Sequence, residues 1–137
     1  MSISFNKNFS LAFVFSNDLS KVLLENICGK LDGILLENSK IGITELELVA
    51  KVNKETGLEL DPSELRIITS LPNMNKEWNI NVYMTITDFD KLKLKENIVI
   101  VETNKLENNC HPNLKWLIPL CLDAMIYGSV FNQILMK

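Results

Sequence analysis

Three charged residues near the middle of the chain share one side of a predicted helix. Lys51, Lys54 and Glu55 are three and four positions apart, so they project from one side of a helical segment. The two ammonium groups could act as counter-charges for a phosphate-bearing anion. Alternatively, Glu47, Lys51 and Glu55 form a solvated ladder of ion pairs.

A helix that carries these residues is predicted by the signals at its two ends. Thr44 and Glu47 have the spacing of a capping box, in which both side chains bind free N–H groups of the first turn. An apolar stripe follows, formed by Leu48, Val49 and Val52. Gly57 is suited to the C′ position that ends a helix. The sequence therefore predicts a helix from about Glu45 to Thr56.

The rest of the chain mixes strand and helix patterns. Strands are predicted at 10–16, 21–25, 31–36, 65–71 and 97–101, the first two as a hairpin. Alternation from Trp78 to Thr87 predicts a half-exposed strand. A last helix is predicted from Pro112 to about Leu135, kinked or interrupted at Pro119. These elements indicate one α/β or α+β domain over residues 1–137.

Composition excludes several classes of function. The chain has 137 residues, a net charge of −3 and a single arginine, Arg66, which disfavours binding to a nucleic acid polymer. Three cysteines and one histidine fit neither a disulfide framework nor a zinc site, so a reducing compartment is expected. No apolar run approaches the roughly 20 residues of a membrane span, and no secretory signal is apparent. We therefore expect a cytoplasmic protein without a membrane anchor.

Several stretches of the sequence resemble the Nudix hydrolases, in particular small bacterial and phage members of the 8-oxo-dGTP or ADP-ribose pyrophosphatase type. Residues 11–24 are similar to the first hairpin of that group, 29–33 to its approach to the Nudix box, 55–58 to the end of the box, and 111–123 to its last helix. The resemblance implies an α/β/α sandwich with a mixed sheet. It places the box helix on one face and the C-terminal helix on the other.

The catalytic motif of the family is degenerate in this chain. The Nudix box reads G-x5-E-x7-R-E-U-x-E-E-x-G-U, where U is aliphatic, and only four positions of this sequence match it: Val52, Glu55, Gly57 and Leu58. Lys51 and Lys54 stand where the family has carboxylates that hold divalent cations. The resemblance therefore implies that metal-dependent pyrophosphate hydrolysis is lost, that no metal is held, and that Glu55 is a residual catalytic residue at most.

Three functions remain open from the sequence. In the first, the chain binds a nucleotide or another phosphate-bearing ligand through Lys51, Lys54 and Glu55. In the second, it is an interaction scaffold or inhibitor for a partner protein, or a homodimer formed through the apolar tail 124–136, which is more often simply a core face. In the third, it is an active hydrolase whose Mg²⁺ is held beside Glu55 by regrouped acids, among them Glu37, Glu45, Glu77, Asp88 and Glu102.

Four further residues carry weaker signals. Trp78 and Tyr83 could stack a nucleobase, although packing is the commoner use of such side chains. His111 precedes the last helix, where a capping or surface role is favoured over catalysis. Cys110 beside it does not make a nucleophilic pair without a fold that turns both side chains together, and Cys121 is expected in the core.

Overall fold

The computed structural model describes residues 7–39, 42–75 and 77–135, with side chains as far as Met125. The seven strands are β1 Lys7–Ser16, β2 Lys21–Ile27, β3 Lys30–Asp32, β4 Ile34–Glu37, β5 Arg66–Asn73, β6 Trp78–Thr87 and β7 Ile98–Glu102. The two α-helices are α1 Thr44–Thr56 and α2 Leu114–Leu135. Two short 3₁₀ turns lie at Pro62–Glu64 and Phe89–Lys91.

All seven strands belong to one mixed sheet. The order is β3-β2-β1-β6-β5, while β4 also pairs with β1 and β7 with β2. β1 and β6 run parallel along their whole length, from Lys7 opposite Trp78 to Ser16 opposite Thr87. The other strand pairs are antiparallel. The predicted mixed α/β architecture is confirmed.

The apolar run of β1 is buried because helices cover both faces of the sheet. Its odd-numbered residues, Leu11, Phe13 and Phe15, pack with α2. Ala12 and Val14 point to the opposite face and pack with α1. The helices contribute Leu114, Leu117, Ile118 and Cys121 from α2, and Leu48, Val49 and Val52 from α1. The domain is therefore an α/β/α sandwich.

The bounds of α1 agree with the prediction to within one residue, but its N-terminal cap does not. Ile43 is the N-cap residue and makes no side-chain capping bond, so the predicted capping box is wrong. Glu47 instead reaches back to the preceding loop, where its Oε1 accepts the Ser39 N–H at 3.2 Å. Gly57 ends the helix as predicted, with φ of 77°, a conformation that favours glycine.

The predicted strand at 31–36 is two strands separated at Gly33. β3 pairs with β2, and β4 crosses over to pair with β1. The chain passes so close to β1 at this point that a Cβ on Gly33 would lie 2.9 Å from the Ala12 carbonyl oxygen. The absence of a side chain therefore allows the crossover.

Two other predictions need correction. β6 is not half-exposed, because its polar face is covered on the α1 side and Asn79, Tyr83 and Thr85 are all buried. α2 begins at Leu114 and is not interrupted at Pro119, which lies at an exposed position of the helix. In the part of the chain that the structure describes, no helix has the length and apolar character needed to cross a membrane.

Candidate functional site

The side chain of Lys51 is bound at the surface between α1 and the sheet. Its Nζ lies 3.3 Å from Oε1 of Glu25 on β2 and also donates a hydrogen bond to the carbonyl oxygen of Leu35 on β4. The Lys51 side chain is 24% exposed and that of Glu25 is 8% exposed. Lys51 therefore links the helix to two strands through one ammonium group.

Glu25 is a buried carboxylate whose two oxygens both have partners. Its Oε1 accepts the Leu35 N–H at 3.1 Å besides the Lys51 ammonium, and its Oε2 accepts from Asn97 Nδ2 at 3.1 Å. Burying a carboxylate is costly unless such bonds replace its water. The pairing thus explains how a charged residue can occupy an inward position of β2.

Lys54 and Glu55 lie beside this pair. Lys54 is exposed and Glu55 is half-buried. Among the described residues neither side chain forms a salt bridge, and the ladder of Glu47, Lys51 and Glu55 is not formed either, because Lys51 pairs with Glu25. The alternative of an ion ladder along α1 is therefore wrong.

A segment that sequence reasoning missed completes this surface. Residues 91–97 run along the last turn of α1, where the Lys93 N–H donates to the Thr56 carbonyl at 2.8 Å and the Lys95 N–H to the Glu55 carbonyl at 2.9 Å. Asn97 then reaches Glu25. The signal for this segment was present as the alternation Lys-Leu-Lys-Leu-Lys from 91 to 95.

A second carboxyl group lies next to Glu25. Asp32 on β3 is the cross-strand partner of Glu25, so both side chains point to the α1 face. Burial raises the pKa of Asp32, and the charge of Glu25 adds to this, whereas the Gly33 N–H and the charge of His111 oppose it. Asp32 is therefore a carboxyl group whose ionised form the fold disfavours.

Comparison with known proteins was made by sequence and by structure. No family model and no curated protein matches the sequence. A Nudix family hydrolase from Clostridium perfringens has a similar structure, with a TM-score of 0.67 and 13% identity over 86% of this chain and 97% of that one. A MutT structure from work on Aliivibrio salmonicida and Vibrio cholerae has a TM-score of 0.65 and 12% identity, over 81% of this chain and 90% of that one. The chain has the Nudix fold.

A third similar structure is the C-terminal domain of mouse MUTYH, solved in complex with human PCNA. Its TM-score is 0.70 and its identity 11%, over 88% of this chain and 90% of that one. At identities of 11–13% these likenesses show the fold. The resemblance to Nudix hydrolases and the sandwich that it implied are confirmed.

The residues on this Nudix fold do not fit the metal that the family implies. The first Glu of the R-E-U-x-E-E part of the box is replaced by Lys51, whose ammonium already binds two oxygens. The described residues contain no group of three His, Cys, Asp or Glu side chains able to hold a metal ion.

The acids proposed to regroup around Glu55 have other neighbours. Glu45 accepts from the Tyr83 hydroxyl at 3.1 Å, Asp88 accepts the Asp90 N–H at 2.9 Å, and Glu102 pairs with Lys105 at 3.3 Å. Glu37 is exposed on β4 opposite Phe9. Glu77 lies in the turn before β6 with a φ of 55°. The structure therefore does not gather these carboxylates into one site.

The aromatic candidates are on opposite faces of the Nudix sheet. Trp78 packs edge-on against Phe9, with ring centroids 6.4 Å apart, beside a cavity of about 270 Å³. Tyr83 is buried on the α1 face, where burial and its bond to Glu45 raise its pKa to about 12. The two rings cannot stack on the same base.

Two predictions for residues in and just before α2 are confirmed, a cap at His111 and a core position for Cys121. His111 acts as a cap, because its Nδ1 accepts the Asn113 N–H at 3.1 Å. Cys121 lies in the core, where burial raises its pKa to about 12. Burial also raises the pKa of Cys110, so this thiol lacks the thiolate character of a nucleophile.

Proposed function

We propose that this chain is a Nudix-fold binding protein that takes a phosphate-bearing ligand and does not hydrolyse it by the metal-dependent route of the family. The observation that carries the proposal is the contact of Lys51 with Glu25 and Leu35. A carboxylate and a carbonyl oxygen are ligands that Mg²⁺ uses. The Lys51 ammonium therefore takes the place that Mg²⁺ would occupy at these oxygens.

Electrostatics opposes the addition of a divalent ion to this arrangement. Mg²⁺ can bind the two oxygens that Lys51 holds only if the ammonium leaves Glu25 and Leu35. An ion that binds beside the intact pair gains little, because the Lys51 ammonium offsets the attraction of the Glu25 carboxylate. Both effects support a site that works without metal.

Lys54 and Glu55 are the proposed ligand contacts at this site, and Lys51 holds the surface that presents them. The ammonium of Lys54 is exposed and has no salt-bridge partner among the described residues, so it is available to an anion. Lys51 is paired with Glu25 and contributes less directly to ligand binding.

We place the protein in the cytoplasm.

A partner protein is the second candidate function, and one surface favours it. Ile43 and Leu46 at the start of α1 are 63% and 50% exposed, and Ile67 on β5 is 56% exposed. Ile67 is the cross-strand neighbour of Tyr83, and the Tyr83 hydroxyl donates a hydrogen bond to Glu45 in the first turn of α1. Ile67 is therefore linked to the turn that carries Leu46. The similar MUTYH domain was solved in complex with PCNA. Homodimer formation through 124–136 stays a prediction, since most of those side chains lie outside the described part.

The test is a thermal-shift screen followed by assays of phosphate release. Ligands are inorganic pyrophosphate, nucleoside di- and triphosphates, ADP-ribose and NAD, each with Mg²⁺ and with a chelator. We expect a rise in Tm that ignores Mg²⁺, with no product released, because a bound ligand stabilises the native state by RT ln(1 + [L]/Kd). Mg²⁺-dependent release of phosphate or of a nucleoside monophosphate would overturn the proposal and restore the hydrolase. A Tm that no ligand changes would favour the partner protein.

A further inference from the structure

We propose that the outer face of the first half of α2 is the contact surface of a homodimer in which the two copies of α2 run antiparallel. This α2 surface is formed by exposed residues, which are Lys115, Trp116, Pro119, Leu120 and Asp123. The inference does not depend on the phosphate ligand, because α1 and α2 pack on opposite faces of the sheet. It also does not depend on the apolar tail 124–136.

The centre of the α2 surface is apolar. Trp116 is 45% exposed and Leu120, one helical turn later, is 37% exposed. The opposite side of the same helix is already used, since Leu117, Ile118 and Cys121 lie in the core. A helix with apolar side chains on both its inner and its outer side has the pattern of one that is covered all round. Covering Trp116 and Leu120 removes apolar area from water, which is the main driving force of most protein association.

The indole ring of Trp116 is held in place within the single chain. Its Nε1 donates a hydrogen bond to Oδ1 of Asn113 at 3.3 Å. A side chain that is already ordered loses less conformational freedom when a partner binds. Tryptophan is also among the residues that most often dominate the binding energy of an interface. Trp116 is therefore the expected anchor of the contact.

The charges at the two ends of the α2 surface indicate that the partner is a second copy of the chain. Lys115 and Asp123 are the charged residues among the 22 of α2. They are eight positions apart, which is about 12 Å along the helix axis and too far for an ion pair within one chain. Within the described ranges neither residue is in a salt bridge. The α2 surface is thus positive at one end and negative at the other, so it is complementary to itself when reversed.

An antiparallel pairing brings both ends of the surface together with opposite charges. When the two-fold axis passes midway between Trp116 and Leu120, Trp116 of each copy lies level with Leu120 of the other. Lys115 then lies within about 3 Å, measured along the helix axis, of Asp123 in the other copy. Symmetry repeats this ion pair at the second end. A parallel pairing would instead place lysine beside lysine and aspartate beside aspartate.

The first experiment is sedimentation equilibrium of the full chain over a wide range of protein concentrations. We expect a monomer–dimer equilibrium whose dissociation constant rises about thirtyfold in Trp116→Lys, which corresponds to about 2 kcal/mol. Leu120→Lys should act in the same direction. Leu46→Lys is its matched control, because Leu46 is an exposed leucine on α1, and it should leave the dissociation constant unchanged. Unfolding curves in urea, recorded where the native chain is monomeric, should nearly coincide for all of these variants, since the altered side chains are exposed.

An exchange of charges tests the antiparallel arrangement. Lys115→Asp places acids at both ends of the contact and Asp123→Lys places lysines there, so each of these variants should dimerise severalfold more weakly than the native chain. A mixture of the two variants should recover the native affinity, because each end of the mixed dimer again joins a lysine to an aspartate. The double variant Lys115→Asp/Asp123→Lys should recover it as well.

Each of four results would overturn the inference. The native chain could stay monomeric at every concentration, which would leave the α2 surface to a different partner. Trp116→Lys could dimerise as the native chain does, or Leu46→Lys could weaken the dimer instead, and either result would place the contact elsewhere. A mixture of the two charge variants that stays monomeric would reject the antiparallel arrangement. The phosphate ligand is tested separately, because Trp116→Lys should respond like the native chain in the thermal-shift screen.

Discussion

Replacing Lys51 by methionine removes one ammonium group and little else. Methionine keeps an unbranched side chain of similar length, so the apolar stem still covers the surface of α1. Glu25 then stays 8% exposed without a counter-ion. Removal of one partner of a fully buried ion pair costs about 3–5 kcal/mol, because the remaining charge is left uncompensated.

The expected cost at this site is smaller, at about 2 kcal/mol of unfolding free energy. Water reaches Lys51, which is 24% exposed, and Glu25 keeps its bonds from the Leu35 N–H and from Asn97. For a chain of this length, about 2 kcal/mol corresponds to a fall in Tm of about 7 °C. Glu25→Gln should recover part of that loss when it is combined with Lys51→Met, because it removes the unpaired charge.

The assay is equilibrium unfolding in urea for the native chain, the two single variants and the double variant. Lys105→Met is the matched control, since Lys105 and Glu102 also lie 3.3 Å apart but their side chains are 74% and 52% exposed. An exposed pair contributes about 0–1 kcal/mol. Equal losses for the two lysine variants would refute the reasoning. So would additive effects of Glu25→Gln and Lys51→Met, because they would show that the pair is not coupled.

Three further changes follow from the same structure. Gly57→Ala should lower the unfolding free energy by about 1–2 kcal/mol, because φ is 77° and Lys93 leaves no room for a Cβ; an unchanged midpoint in urea would contradict this. Asp32→Asn should raise Tm at neutral pH and not at acid pH. The pKa of Asp32 is higher in the folded state than the unfolded value of 3.8, so the native protein loses stability as the pH rises from 3.8 through the folded-state pKa. Measuring Tm against pH for both proteins shows whether the difference has the expected sign. A thiol reagent should modify Cys28 rapidly and reach the other two cysteines, Cys110 and Cys121, only after unfolding; three fast thiols would contradict their burial.

Local patterns were sufficient to predict most of the helices and strands, whereas the α/β/α arrangement was implied by the resemblance to the Nudix hydrolases. The apolar run of β1, the stripe of α1 and the glycine that ends α1 each depend on residues within a few positions of one another. The capping box predicted at Thr44 is wrong although its spacing fits the motif, because Glu47 accepts a hydrogen bond from the Ser39 N–H in the preceding loop instead. Burial of the polar face of β6 also could not be predicted, since it depends on where α1 packs.

The site depended on contacts that no local pattern contains. Lys51 meets a carboxylate 26 positions away in the sequence, on the face of β2 that the strand register selects. The sequence did contain a hint, because Glu25 ends the apolar run that begins at Val22, and a charge in an inward position needs a partner. The contribution of 91–97 was harder still to predict, since that segment is placed by bonds to carbonyl groups of α1 and not by its own secondary structure.

The parallel pairing of β1 with β6 has a consequence for how the chain folds. The two strands are roughly seventy positions apart in the sequence, and closing so long a loop precedes any gain from the pairing, so we expect folding on the millisecond-to-second timescale. During synthesis β1 leaves the ribosome well before β6 exists. Its five consecutive buried apolar residues, Leu11 to Phe15, then lack a neighbour on one side. The nascent chain is consequently most prone to aggregate in the interval before residue 87 is made.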